Sequence, residues 1–342
     1  MKILVCYGTR PEYIKIKPLL DEFKKSNIKF STLNIRQHEN LVKDEAEHTV
    51  FLREQSISRN RLDLILSTIA DIDEGCFCGI THTLVQGDTA TALLCAMASF
   101  HRQIPVIHLE AGLRTRDFEN PYPEEGYRQL ISRITSIHLC PTENNKNNLL
   151  NESINGKIYV VGNTVLDNLV KFKNQCSYNE EVLVTLHRRE NHSNMQNWFK
   201  ALSTIALSNP NIRYTIPIHP NPNVLKYKDE LVGLNIIDPL PYDEFLKKFI
   251  SCRYLITDSG GIQEEASFLG KKVIVCRKVT ERPESIDVNT IMCDDPNDLI
   301  KKELLIRDNY VVEQNTIYGD GNTCSRIAQI LGDLNGIRKI SI

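Results

Sequence analysis

Short β-branched runs that end in polar turns alternate along this chain with longer amphipathic stretches. No other feature narrows the fold as much, because such alternation describes parallel strands joined by covering helices. KILVCY, from Lys2, reads as a buried first strand, followed by the turn GTRPE and a helix from about Tyr13 to Lys25. THTLVQ, IPVIHLE, SIHLCP and KIYVVGN continue the same sheet. After the polar segment DNLVKFKNQCSYNEE, a second sheet is predicted from EVLVTLH, RYTIPIH, LNIIDP, YLITD and KVIVC. Ile327, Ile330, Leu331 and Leu334 repeat with a helical period, and that last helix is expected to pack back on the first domain. At 342 residues the chain exceeds what one core usually supports. The expected division is therefore residues 1–170, residues 171–320, and a returning helix over 321–342.

Charge and cysteine spacing remove several function classes. The net charge is −2 with Lys and Arg scattered, which leaves no electrostatic footprint for nucleic acid or an anionic membrane. No apolar run approaches the roughly 20 residues of a membrane span. The N-terminus reaches Arg10 and Pro11 before a signal-peptide core could form, so a cytoplasmic location is expected. Cys76 and Cys78 are one residue apart, and the other cysteines stand alone in apolar runs, without zinc-type spacing. Reduced core thiols are expected, with no metal. The turn GTRPE has one glycine where a dinucleotide fingerprint has three, so no cofactor is expected either.

Ligands of open parallel sheets bind beyond the carboxyl ends of the strands. Gly8, Gly87, Glu110, His187, His219 and Ser259 all follow predicted strands, and two such edges facing one another would make a deep cleft. In TDSGGIQEE, Ser259, Gly260 and Gly261 read as a turn free to adopt positive φ, opening a helix that Gly270 stops. Free N–H groups at that helix start suit a diphosphate, and Glu265, expected in the first turn, suits a vicinal diol. An ordinary β-turn-α explains SGG alone equally well. Asp88, Glu110 and Glu124 follow strand ends among small residues, where a carboxylate serves as proton donor or acceptor; capping the next helix is the competing role. In HRREN, His187 suits acid, base or phosphate donation. Arg10 and Lys15 suit phosphate or sugar hydroxyls, or are solvated cations. His219 is read as structural or cleft-lining, and Phe245 stacks on a base or belongs to the core.

Together GTRPE, GDT, EAGLRT, PEE, PTE, GNTV, HRREN, NPNV, TDSGGIQEE, TERPE and YGDG, in this order, resemble the non-hydrolysing UDP-N-acetylglucosamine 2-epimerase family. The resemblance implies α/β GT-B architecture, two Rossmann-like parallel-sheet domains, a UDP-sugar substrate and a homodimer. It implies elimination of UDP to a 2-acetamidoglycal and re-addition with inverted C2. Asp88, Glu110, Glu124 and His187 match catalytic positions of the family. Ser259, Gly260 and Gly261 match diphosphate contacts, Glu265 the ribose contact, Phe245 the uracil neighbourhood, and Arg10 and Lys15 line the same site. Three alternatives share the UDP site: a hydrolysing 2-epimerase, a GT-B glycosyltransferase, and an inactive UDP-sugar sensor. Bacterial members carry an arginine where Glu39 follows Gln37 and His38, in a run tied to activation by substrate, so little such activation is expected. Leu186, Gly126, Tyr127 and Tyr13 also depart from the family pattern around the sugar, so a related UDP-acetamido sugar is an alternative to UDP-GlcNAc.

Overall fold

The computed structural model describes residues 1–36, 46–51, 67 and 72–340, so Gln37, His38 and Glu39 lie outside the described residues. The chain divides into two compact units, Met1–Asn168 with Gly319–Ile342, and Leu169–Tyr318.

The first unit contains β1 (Lys2–Tyr7), β2 (Lys29–Arg36), β3 (His48–Phe51), β4 (His82–Gln86), β5 (Val106–Leu109), β6 (Ile137–Cys140) and β7 (Lys157–Val160). They form one parallel sheet in the order β3-β2-β1-β4-β5-β6-β7. β1 is apolar after Lys2, β4 sets Leu84 and Val85 among His82, Thr83 and Gln86, and both are buried on both faces, as strands covered by helices on each side must be. Strand order reverses between β1 and β4, so the turns after Tyr7 and Gln86 flank the position where open sheets take ligands.

Helix α1 (Arg10–Lys25) begins at Arg10 rather than near Tyr13. Thr9 and Glu12 form a capping box: Thr9 Oγ1 accepts the Glu12 N–H, and the Glu12 carboxylate accepts the Thr9 N–H at 2.7 Å. Pro18, inside the helix, has no N–H to give the Ile14 carbonyl. The Asn168 side-chain amide donates to that carbonyl instead, at 3.0 Å. Helices α2 (Ala90–His101), α3 (Glu124–Ile134) and α4 (Glu143–Asn151) follow β4, β5 and β6.

The second unit repeats the plan with β8 (Glu181–Thr185), β9 (Arg213–Pro217), β10 (Asn235–Ile237), β11 (Leu255–Thr257), β12 (Val273–Val275) and β13 (Thr290–Met292). The order is β10-β9-β8-β11-β12-β13, again parallel, with reversal between β8 and β11. Its longer helices are α5 (Met195–Ser208), α6 (Tyr242–Ser251), α7 (Gly260–Leu269) and α8 (Leu299–Arg307). α5 carries Trp198, Phe199 and Leu202 into the core with Val182, Val184 and Ile256. Gly270 ends α7 in the left-handed conformation, φ 67°.

Helix α9 (Thr323–Ile340) belongs to the first unit. Asp167 caps it, accepting the Thr323 and Cys324 N–H groups at 3.1 and 2.8 Å. Ile327, Ala328 and Leu331 then pack in one cluster with Ile16, Leu19, Leu20 and Phe23 of α1. Among the described residues no helix is long and apolar enough to cross a membrane.

Candidate active site

In the first unit, one buried carboxylate links two strand-end turns. Glu12 Oε2 accepts the Gly8 N–H at 3.0 Å as well as that of Thr9, while Oε1 accepts the Thr89 hydroxyl at 2.6 Å. Burial raises its pKa, against the pull of these hydrogen bonds. Thr89 also caps α2, accepting the Ala92 N–H at 3.0 Å, so Asp88 does not. Gly87, at φ 70°, lets the chain turn between them. His108 steadies that turn with its Nε2 2.8 Å from the Gly87 carbonyl. Burial pushes His108 down to about 4, which leaves the ring neutral with Nε2 as the donor.

Glu110 follows β5 with φ 66°, a conformation that residues with a side chain seldom adopt. Its carboxylate lies within 2.7 Å of Lys15 Nζ through both oxygens, takes the Asn163 amide at 3.0 Å, and accepts the Gln86 amide. Three side chains from three separate segments therefore hold one acidic side chain. Asp88 is held differently. Arg128 of α3 reaches its Oδ2 through Nη2 at 2.6 Å and Nε at 2.8 Å, and meets Glu125 at 3.2 Å. The buried Glu125 accepts the N–H groups of Thr115 and Arg116 at 3.0 and 3.3 Å, which anchors the EAGLRT loop. Glu124 opens α3, and its Oε2 is buried with no hydrogen-bond partner among the described residues. Arg10 opens α1 and is partly exposed.

The second unit corrects two expectations. Gly260 and Gly261 are helical, forming the first turn of α7 without positive φ, and Glu265 falls in the second turn. Glycine at 260 answers to space instead: a Cβ there would lie 2.6 Å from Glu281 Oε1 and 2.8 Å from Arg282 Nη1. A Cβ at Gly261 would meet nothing within 4 Å. Ser259 makes no side-chain cap bond and the first turn holds no acidic residue, so the positive end of α7 is uncapped by side chains. Behind Gly260 lies a buried ionic cluster. Arg277 meets Glu190 at 2.8 Å and Glu281 at 3.0 Å, and Arg282 pairs with Glu264 and Glu281.

Glu265 Oε1 accepts the Tyr242 hydroxyl at 2.9 Å, and burial together with that carboxylate drives the Tyr242 pKa far up. Phe245 meets the core residue Phe249 edge-on, with centroids 6.0 Å apart. His187, just beyond β8, is tied to Asp258, whose Oδ2 accepts the N–H groups of His187 and Arg188 at 2.9 and 2.7 Å and the Asn191 amide at 3.2 Å. The His187 ring stacks on His219, with centroids 5.0 Å apart and planes 10° from parallel. Burial, and then His187, lower the His219 pKa.

Each unit thus gathers ionisable groups at its own point of strand reversal. The first offers carboxylates in three different settings, suited to moving protons. The second offers an uncapped helix start flanked by imidazole and guanidinium groups, suited to an anion. Sequence reasoning missed Glu12, Gln86, Arg128, Asn163, Asp258 and Arg277. Thr9-x-x-Glu12 is a capping-box pattern, and Asp258 stands inside TDSGG. Gln86, Arg128 and Asn163 carry no local signal of that kind.

A model of the UDP-N-acetylglucosamine 2-epimerase family matches residues 78–332, well over half of the chain. The UDP-N-acetylglucosamine 2-epimerase of Campylobacter jejuni is 35% identical, the match covering 96% of this chain and 97% of that one. The crystal structure of UDP-GlcNAc 2-epimerase from Neisseria meningitidis bound to UDP-GlcNAc superposes with a TM-score of 0.86 at 32% identity, covering 97% of this chain and 100% of that one. The Methanocaldococcus jannaschii enzyme, in complex with UDP-GlcNAc and UDP, gives 0.79 at 30% identity, covering 97% of this chain and 99% of that one. The two Rossmann-like parallel-sheet units are the GT-B architecture expected from the sequence.

Proposed function

Because the chain belongs to the UDP-N-acetylglucosamine 2-epimerase family, we propose that it interconverts UDP-GlcNAc and UDP-ManNAc, or a related UDP-acetamido pair, without hydrolysis. The observation that carries this reading is the trio Asp88, Glu110 and Glu124 at one sheet edge, each in a different electrostatic setting. A carboxylate takes the C2 proton, the C–H pair becomes the C1=C2 bond of a 2-acetamidoglycal, and the C1–O pair leaves on UDP. UDP then adds back to C1 while a second acid delivers a proton to the other face of C2. Inversion needs two proton carriers with distinct surroundings.

The leaving diphosphate is assigned to Ser259, Gly260 and Gly261 at the α7 start, with His187 balancing charge; Arg10 and Lys15 are assigned to the substrate in the first unit. Glu265 is assigned to the ribose and Phe245 to the neighbourhood of the uracil. The enzyme is proposed to work in the cytoplasm as a homodimer, which light scattering measures.

Incubation with UDP-GlcNAc in D₂O, followed by proton NMR, tests the whole. Deuterium at C2 with UDP still attached is the expected result. Free sugar with free UDP would mean hydrolysis, and absence of exchange with several UDP-HexNAc substrates would end this reading.

A further inference from the structure

Asp258 lies at the strand reversal of the second sheet, directly after β11 and beside the end of β8. It is fully buried. Its two oxygens have different fates. Oδ2 carries three donors, the His187 and Arg188 N–H groups and the Asn191 amide, while Oδ1 is buried with no hydrogen-bond partner among the described residues. His187 Nδ1 stands 3.7 Å from that unsatisfied oxygen. This is beyond hydrogen-bond range, yet a small in-plane swing of the ring closes it, and catalytic hydrogen bonds are often long before ligand arrives.

We propose that Asp258 is a positioning residue for His187, its free oxygen taking the imidazole Nδ1–H so that the opposite ring nitrogen, Nε2, is presented as the proton donor to the departing diphosphate. The proposal rests on the epimerase reading above. Three features of the site support it. The same carboxylate that faces the ring also holds the backbone of the ring's own residue, so loop and side chain are set by one group. The stacked His219 ring, 5.0 Å away, blocks tilting and leaves sliding in the plane. His219 Nδ1 accepts the Asn221 N–H at 3.1 Å, so that nitrogen carries no proton to offer Asp258.

Among the described residues, the titratable groups in contact with His187 are Asp258 from the end of β11, His219 from the turn after β9, and His192 on its own loop, which also carries Arg188, Arg189 and Glu190. Asp258 is the acidic group in contact with the ring. In the elimination step the C1–O pair goes to a phosphate oxygen, the Nε2 proton passes to that oxygen, and the neutral ring keeps Nδ1–H on Asp258. Re-addition returns the proton to Nε2.

Two measurements test this. In wild-type protein labelled with ¹⁵N-histidine and saturated with UDP, long-range ¹H–¹⁵N correlation reads the His187 ring directly, and a protonated Nδ1 is expected. A ring protonated at Nε2 alone overturns the proposal, whether or not any variant folds. Asp258→Asn keeps an oxygen for the loop N–H groups but turns an amide donor toward Nδ1. A fall in kcat on the order of 100-fold with KM within about threefold is expected. A kcat within about threefold of wild type also overturns the proposal, as does a loss confined to KM, which a merely structural role would give. Lack of C2 exchange in the wild-type protein would instead refute the epimerase reading, while the ¹⁵N result would still decide the Asp258–His187 pairing.

Discussion

Adjacent glycines in SGG are expected to respond oppositely to the same methyl group. In Gly260→Ala the added carbon would sit 2.6 Å from Glu281 Oε1, 2.8 Å from Arg282 Nη1 and 3.1 Å from Arg277 Nη1. These atoms cannot retreat freely, since each is buried and locked in ion pairs with the others. Overpacking at such a point costs about 2–3 kcal/mol, or roughly 4–12 °C of melting temperature for a unit of this size. In Gly261→Ala the carbon meets nothing, and the residue is already helical. Replacing glycine by alanine there should add about 0.5 kcal/mol, the low end for a helix because it lies in the first turn. If a phosphate rests against that open face, the same methyl should weaken UDP binding about tenfold, or about 1.4 kcal/mol. Urea unfolding and calorimetric titration with UDP measure both quantities on the same samples. A Gly261→Ala protein that is destabilised by more than about 1 kcal/mol, or that binds UDP like wild type, would refute the assignment of open space to ligand. A Gly260→Ala protein as stable as wild type would refute the close-approach argument.

His108 is held neutral by burial, with its pKa lowered from 6.5 to about 4. Its contribution to stability is present above pH 6.5 and is lost as pH falls toward 4, where the unfolded state already carries the extra proton. Urea midpoints of His108→Gln should therefore show an acid slope flatter by up to about 3 kcal/mol over that window, and an unchanged slope would refute this. Lys15→Met should destabilise by about 3 kcal/mol by stranding the buried Glu110, and adding Glu110→Gln should recover much of it; additive losses in urea would contradict the pairing. Asp88→Asn and His187→Asn should each abolish turnover with unchanged circular dichroism, and near-normal rates would remove both from the mechanism. Rate against UDP-GlcNAc concentration should be hyperbolic, because Glu39 stands where a phosphate-binding arginine is expected; a sigmoidal curve would count against it.

Strands whose residues are apolar throughout were legible, because a strand covered on both faces needs no alternation. β2 escaped notice because KFSTLNIR buries Ser31 and Asn34 alongside Leu33 and Ile35, so its pattern does not separate inside from outside. β3 and β13, HTVF and TIM, are short and stand among charged and polar residues, without the flanking apolar run that marks the equally short β12. Placement of Asp88, Glu110 and His187 beyond strand ends was legible for the same reason as the strands. What holds them was not: Lys15, Gln86 and Asn163 meet at Glu110 only because strand order brings the ends of distant segments together. The SGG turn shows the same limit. Its helical φ follows from Ser259 taking the cap, and its need for glycine comes from Glu281 and Arg282, about twenty residues away in sequence.

The capping of α9 by Asp167 has a consequence for the order in which the molecule can be finished. The second unit, a single continuous stretch, is synthesised before the last helix of the first. Until Ile327, Ala328 and Leu331 emerge, the side of α1 that carries Ile16, Leu19 and Phe23 has no cover from them. The part of the protein made first is thus the part completed last. A stop codon a few turns early would remove the closing wall of the first core, although every proposed site residue would already have been synthesised.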